Sequence, residues 1–239
     1  MKKKIKILCT ICARGGSKGL KNKNFKDLNS KPLIYHTILQ AKKSKIFDKI
    51  VVSSDSNKIL LLSKKFKVDY LIKRPKKLAN DHCGKIDVIK HALIETEKKY
   101  QNKFDLIFDL DVTSPLRLVK DIRQALEKIL KSNSSNLVSG TKSRKNPYFN
   151  QVMLKNNRLS IPCRSRGKIF SRQKAPKVFD LNASIYIWRR NALIKEKNLI
   201  NKKTLLYEMP DSRSIDIDNM FDFKLVQFIF KNKLFKYND

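Results

Sequence analysis

The sequence predicts an α/β fold with a mostly parallel central sheet flanked by helices. Three observations carry this. Short β-rich runs alternate with amphipathic helical stretches along most of the chain. The first run, 5–11, is almost continuously apolar, as a central strand buried on both faces requires. A glycine-rich loop follows it directly, at the carboxyl end of a strand, where open α/β sheets bind ligands.

The elements follow in order. Residues 5–11 form the first strand and 14–24 the loop. Pro32 opens a helix through 44, because its fixed φ suits a first helical turn, and Leu33, Ile34, Thr37, Ile38 and Ala41 fall on one face. Residues 49–53 read as a second strand ending in Ser54-Asp55, 57–66 as helix and 68–72 as a third strand. Helix 86–100 turns Val88, Ile89, Ala92 and Leu93 inward. Strand 104–110 ends at Asp111, and 119–131 and 136–140 form a further helix and strand. From 142 to 177, Pro147, Pro162 and Pro176 and many basic residues break the pattern into short strands and loops projecting from the sheet. Strand 184–188, a short acidic segment at 215–218 and a closing helix at 219–230 complete the chain. There is no repeat and no long linker, so 1–239 reads as a single domain with 142–177 as an insertion.

Composition narrows the function. A chain of 239 residues that is 41% hydrophobic can bury a sizeable core, which excludes a disordered basic tail. No apolar run reaches the ~18 residues a bilayer span needs. The apolar stretch near the start ends at Arg14 with no small-residue cleavage site after it. The expectation is a soluble, cytoplasmic protein with no membrane partner. Lys plus Arg is 54 and Asp plus Glu 21, a net charge of +33, which first points to nucleic acid. However, 42 of the 54 cations are Lys, spread along the whole chain with 19 Asn and 24 Ile. That trio marks a compositional bias, so most of the charge reads as a solvated coat and no nucleic-acid partner is expected. Cys9 and Cys12 form a C-x-x-C inside an apolar run rather than at a helix start, while Cys83 and Cys163 stand alone. Buried thiols fit better than a redox or metal site. His36, His82 and His91 have no metal spacing and none is assigned to catalysis.

The loop Cys12-Ala13-Arg14-Gly15-Gly16-Ser17-Lys18-Gly19-Leu20-Lys21-Asn22-Lys23-Asn24 is the most informative segment. Its glycines allow close backbone approach and φ > 0, and successive N–H groups then cradle phosphate oxygens. Arg14, Lys18, Lys21 and Lys23 add positive charge. It has neither the G-x-x-x-x-G-K-[ST] nor the G-x-G-x-x-G order. These residues alone indicate binding of a nucleotide or another polyphosphate. Near the other end, Asp216 and Asp218 alternate along an extended segment and share a face. Two such carboxylates suit Mg²⁺. They equally suit the N-terminus of the helix that follows. Arg74, before Pro75, reads on its own as a surface cation.

An ordered set of motifs resembles the N-acylneuraminate cytidylyltransferases, the CMP-sialic acid synthetases, over nearly the whole chain. The set is Ala13-Arg14-Gly15-Gly16-Ser17-Lys18-Gly19 with Lys23-Asn24, Lys31-Pro32-Leu33-Ile34, Val51-Val52-Ser53-Ser54-Asp55-Ser56, Arg74-Pro75 with Leu78-Ala79-Asn80-Asp81, Thr113-Ser114-Pro115-Leu116-Arg117, Asn182-Ala183-Ser184-Ile185-Tyr186 and Asp216-Ile217-Asp218. The resemblance implies a Rossmann-like nucleotide-diphospho-sugar transferase fold with a small protruding dimerisation arm at 142–177, and a homodimer. It implies that CTP is joined to an acidic nine-carbon sugar of sialic, legionaminic or pseudaminic type, releasing pyrophosphate. Arg14 and Lys23 would then neutralise the triphosphate and the leaving pyrophosphate. Ala13, Ser17 and the Gly15–Gly16 backbone would hold phosphate, and Asn24 and Arg74 would place the ribose and cytosine. Asp216 and Asp218 would hold Mg²⁺ as the cofactor. Arg172 would grip the sugar carboxylate, since a guanidinium binds it bidentately, and Asn182 and Tyr186 would line the sugar pocket.

Two departures from the family pattern matter. Asp111 stands where the family has glutamine, and Asp180 where sialic acid enzymes often have a second arginine. Both disfavour a pocket tuned to N-acetylneuraminate and resemble the legionaminic and pseudaminic branch. Two roles for Asp111 are open, a sugar contact and a metal ligand. The alternatives to this reading are another sugar nucleotidyltransferase and a basic nucleic-acid-binding protein.

Overall fold

The computed structural model describes residues 4–16, 19–80, 83–163, 171–232 and 234; the side chain of Arg172 is also outside this set. In chain order the elements are β1 (Ile7–Cys12), β2 (Asp27–Leu28), β3 (Lys31–Pro32), α1 (Leu33–Ser44), β4 (Lys49–Ser54), α2 (Asn57–Lys65), β5 (Tyr70–Lys73), α3 (Lys85–Tyr100), β6 (Leu106–Leu110), α4 (Val119–Leu130), β7 (Asn136–Lys142), β8 (Met153–Lys155), β9 (Arg158–Ser160), β10 (Phe179–Arg189), α5 (Arg190–Lys195), β11 (Thr204–Glu208) and α6 (Met220–Lys231).

Among the described residues, seven strands form one sheet in the order β11-β7-β10-β6-β1-β4-β5. β1 pairs in parallel with β4 and β6, β4 with β5, and β7 with β11, whereas β10 is antiparallel to both β6 and β7. The sheet is therefore mostly parallel, as expected, with one reversed strand near its middle. Strand alternation divides the core in two. Ile7, Cys9 and Ile11 of β1 join Leu106, Phe108 and Leu110 of β6 on one face, with residues of α1, α4 and α6. Leu8, Ile107, Tyr186 and Trp188 pack on the other face against Ile89 and Leu93 of α3 and Leu193 of α5. Every residue of β6 is buried, so its run carries no polar solvent face.

Local chemistry fixes several element ends. The Ser56 side chain accepts from Ile59 N at 3.4 Å and starts α2. Asn219 accepts from Phe221 N and Asp222 N, while Asp222 accepts from Asn219 N at 3.1 Å, a capping box at the start of α6.

Two expectations are corrected. β10 runs from Phe179 to Arg189, longer than 184–188, because it pairs on both sides. α5 and the edge strand β11 were not expected; Leu205 and Tyr207 bury against the core. The acidic segment 215–218 lies outside the sheet, as a short extended segment, and is held by a bond from Ile217 N to Thr113 O at 2.9 Å. Within 142–177, β8 and β9 form a hairpin whose Met153, Leu154 and Leu159 are exposed.

The β10–β7 pairing breaks register between Leu181 and Tyr186, where Ala183 has φ 52°. Arg117, fully buried, sits beneath this irregularity. Its guanidinium donates to the carbonyls of Ser184 and Asp111, to Gln40 Oε1 at 3.0 Å and to Thr37 Oγ1 at 3.3 Å. It thereby joins β10, the end of β6 and α1 under the floor of the cleft described next.

Candidate active site

A cleft of about 570 Å³ opens at the carboxyl ends of β1 and β6. Three walls enclose it, and each carries a cation.

The first wall is the glycine-rich loop with the acidic segment. Ala13 N donates to Ser53 O at 3.0 Å, extending the β1–β4 pairing past the strand end. Asn24 is buried, and its amide donates to Arg14 O at 2.9 Å, fixing the loop from behind. The expected φ > 0 at the glycines is not realised: no described glycine is left-handed, and Asn22 takes that conformation instead with φ 58°. Glycine is needed here for close approach. A Cβ on Gly15 would lie 2.9 Å from Ser56 Cβ, and one on Gly19 only 2.2 Å from Asp218 O. The Gly15 N–H, expected on phosphate, donates to Asp55 Oδ1 at 2.9 Å, the acceptor that β4 delivers beside it. A Cβ on Gly16 would meet nothing within 4 Å, and Ser17 lies outside the described residues.

Lys23 joins the loop to the acidic segment. Its ammonium donates to Ile217 O at 2.8 Å and to Asp218 Oδ1 at 3.2 Å. Asp218 is 74% exposed at its side chain. Asp216 is more enclosed, and its Oδ1 is a buried oxygen with no hydrogen-bond partner. Burial, then the charge of Asp111, push its pKa up to about 6, against the pull of Thr113 and Lys23. Asp216, Asp218, Arg14 and Lys23 all line the cleft.

The second wall comes from the segment after β5. Arg74 is no surface cation. It is 5% exposed and donates through Nη2 to Ser53 O at 2.7 Å and through Nε to Ser53 Oγ at 3.2 Å. It lines the cleft beside Leu78, Ala79 and Asn80, a flat apolar and amide surface next to a guanidinium.

The third wall contains a residue the sequence did not single out. Lys85, the first residue of α3, places its ammonium 2.6 Å from Asp111 Oδ2 and 3.3 Å from Asp109 Oδ2, and 4.3 Å from the centre of the Tyr186 ring. Alternation along β6 turns Asp109 and Asp111 toward α3, and Tyr186 pairs with Asp109 in register from β10. Burial opposes the charge of Lys85, but Asp111 and Asp109 outweigh it and raise its pKa. Burial likewise opposes ionisation of Asp111, yet Lys85 and the Thr113 N–H and hydroxyl hold it down at about 2. Asp111 is thus a paired carboxylate rather than a free anion of the pocket. No composition or spacing signal marks one Lys among 42; only the substitution at Asp111 hinted that a cation must face it.

The remaining sugar-side candidates are placed differently. The Asn182 amide is consumed internally: Oδ1 accepts from Ser139 Oγ at 2.7 Å and Nδ2 donates to Ser214 Oγ at 2.9 Å. Asn182 does not line the cleft; its network holds the β10 irregularity and the strand β7. Tyr186 is buried beneath Lys85. Asp180 is exposed and is not a cleft residue, so it adds no anion there. Arg172 opens a single turn at Arg172–Lys174, and its side chain lies outside the described residues. Cys9 and Cys12 lie in β1 with thiols pushed up by burial and by Asp109; Cys9 is buried as expected, whereas Cys12, Cys83 and Cys163 are only part-buried.

The donor set fits a divalent cation. Asp216 Oδ1 is orphaned and buried, beside a second carboxylate, and hard cations take such oxygens while keeping phosphate oxygens as further ligands. Among the described residues no cluster of three or more metal-ligating side chains exists, so substrate oxygens would have to complete the shell. No helix among the described residues is long and apolar enough to cross a membrane.

Residues 8–232 match the family model for cytidylyltransferases. The chain is 42% identical over 227 residues to the CMP-N,N'-diacetyllegionaminic acid synthase of Campylobacter jejuni, covering 95% of this chain and 96% of that one. It is 41% identical, with the same coverage, to the post-translational flagellin modification protein B of Campylobacter coli. A pseudaminic acid cytidylyltransferase of Campylobacter jejuni is 29% identical over 95% of this chain and 97% of its own. The fold matches a solved CMP:2-keto-3-deoxy-manno-octonic acid synthetase complexed with CTP, with a TM-score of 0.70 at 17% identity, covering 95% of this chain and 99% of that one. The fold and site define a nucleotidyltransferase. The chain belongs to the cytidylyltransferase family.

Proposed function

We propose that the protein joins CTP to a nine-carbon acidic sugar of the legionaminic type, forming the CMP-sugar and pyrophosphate. The observation that carries this is the 42% identity, end to end, with a CMP-N,N'-diacetyllegionaminic acid synthase. Identity to a pseudaminic acid cytidylyltransferase is lower, at 29%, and to a streptococcal N-acylneuraminate cytidylyltransferase 31%.

The reaction makes one bond and breaks one. The anomeric hydroxyl oxygen of the sugar attacks the α-phosphorus of CTP in line, the bond to the β-phosphate oxygen breaks, and the hydroxyl proton passes to solvent or a nearby base. Such a transfer depends on positioning and on stabilising charge. Arg14 and Lys23 bind the triphosphate and stabilise the leaving pyrophosphate. Lys23 is already fixed by Asp218 and Ile217, so little reorganisation is required. Arg74, held on Ser53, places the nucleoside. Asp216 and Asp218 would hold Mg²⁺, with the orphaned Asp216 Oδ1 as the stronger donor. When bound there, the cation supplies Lewis-acid charge to the α-phosphate. Arg172 grips the sugar carboxylate.

The exposed apolar pair Leu154 and Leu159 on the strands of the β8–β9 hairpin supports its use as the dimer contact. The reaction belongs in the cytoplasm, where nucleoside triphosphates are held. The test is pyrophosphate release by purified protein with Mg²⁺, each nucleoside triphosphate in turn and a panel of nine-carbon acids. CTP with N,N'-diacetyllegionaminic acid should give the highest kcat/KM, and EDTA should abolish turnover. Absence of release with CTP and every acid would remove this reading.

A further inference from the structure

We propose that Lys85, held on Asp111 and Asp109, is a specificity-determining residue that donates to a neutral amide or hydroxyl oxygen of the sugar. This rests on the transfer reaction proposed above.

The argument is one of placement and charge. The triphosphate is served by the loop wall, where Arg14 and Lys23 lie against the acidic segment. The nucleoside is served by the wall of Arg74, Leu78 and Asn80. The wall left for the second substrate is that of Lys85 and Asp111, over Tyr186. Lys85 is 28% exposed at its side chain and lines the cleft, so it is not sealed into the core as Asp109 is.

Charge then decides what it meets. Two carboxylates flank one ammonium there, at 2.6 and 3.3 Å. The local balance is anionic, so a third carboxylate, the sugar's own, would be repelled. A carbonyl or hydroxyl oxygen is accepted without that penalty, because it adds an acceptor and no charge. Asp111 is itself engaged on both oxygens, by Lys85 and by Thr113. Its part is therefore to aim the ammonium. A site built to hydrogen-bond one polar group discriminates strongly against an analogue that lacks it.

Sugars that differ in their acylamino groups provide the test. Wild type, Lys85→Arg, Lys85→Met and the double variant Lys85→Met/Asp111→Asn are assayed with CTP against N,N'-diacetyllegionaminic acid and N-acetylneuraminic acid. The double variant removes the carboxylate that Lys85→Met strands, so it remains informative if the single variant fails to fold. Expected is a change of tenfold or more in the ratio of kcat/KM between the two sugars, with the KM for CTP held within about twofold, and a ratio near wild type in Lys85→Arg. A loss shared equally by both sugars, or by sugar and CTP alike, would show a merely structural residue and overturn the inference. A wild-type enzyme inactive with every sugar would instead remove the underlying reaction.

Discussion

Replacing Gly19 by alanine should uncouple the phosphate loop from the acidic segment. The added Cβ would sit 2.2 Å from the Asp218 carbonyl oxygen, about 1 Å inside ordinary contact. The obstacle is backbone on both sides, so neither a rotamer change nor a flexible tip relieves it. Overpacking of this kind costs about 1–3 kcal/mol, which in a domain of this size lowers Tm by roughly 2–4 °C per kcal/mol. The larger effect is on chemistry. The segment must retreat by about 1 Å, moving Asp218 and Asp216 relative to Arg14, and misplacement on that scale costs on the order of 100-fold in rate. Gly84→Ala is the control, because its added Cβ meets only Asp87 Oδ2 at 3.5 Å, an ordinary contact, and Gly84 does not line the cleft. Pyrophosphate release and thermal melting of both variants are the assays. If Gly19→Ala keeps rate and Tm within the range of Gly84→Ala, the loop and the acidic segment are not the rigid unit described.

Three more outcomes follow from the same geometry. The raised pKa of Asp216, about 6, means the folded chain holds that proton more tightly than the unfolded chain does. The stability this gives is complete below about pH 4 and lost as pH rises through about 6. Asp216→Asn should therefore melt above wild type by on the order of 1–3 kcal/mol at neutral pH without divalent cations, match it near pH 4, and lose turnover. A lower Tm at neutral pH would contradict the assignment. Arg74→Lys keeps the charge but not the two contacts to Ser53, so KM for CTP should rise about tenfold, while an unchanged KM would separate Arg74 from the nucleotide. Arg117→Leu strands buried carbonyls of Ser184 and Asp111 and should destabilise by about 3–5 kcal/mol, read by urea unfolding.

Much of the fold was legible because its strands are uniform. β1 and β6 are buried on both faces and apolar at all but Thr10 and Asp109, a run that reads as a strand without tertiary context. Strand direction was not legible: the apolar run of β10 looks the same parallel or antiparallel, and its pairing partners are set by topology. β11 escaped because a five-residue edge strand with three half-buried positions has little periodicity. In the site, Arg14, Lys23, Arg74, Asp216 and Asp218 converge on one cleft. Asn182 was read as a pocket residue, yet its amide is spent on Ser139 and Ser214; a motif position does not reveal which side of a strand its polar group serves. Lys85 was missed because a lysine's role depends on what lies within 4 Å of its tip.

The reversed strand β10 also constrains how the protein comes into being. The floor of the cleft is sound only when Tyr186 lies beside Asp109 and Arg117 has the Ser184 carbonyl to bond. Both partners of β10 precede it by long stretches of chain, and such distant pairings form slowly. During synthesis, the half that ends with α4 can assemble its parallel strands while the gap beside β6 remains an open edge. The cleft is complete only once 179–189 has entered beneath it and 216–218 has closed one wall. Substrate binding can therefore protect only the completed molecule, and the nascent chain must rely on its own charge, +33 over the full length, to keep that edge from pairing with a neighbour.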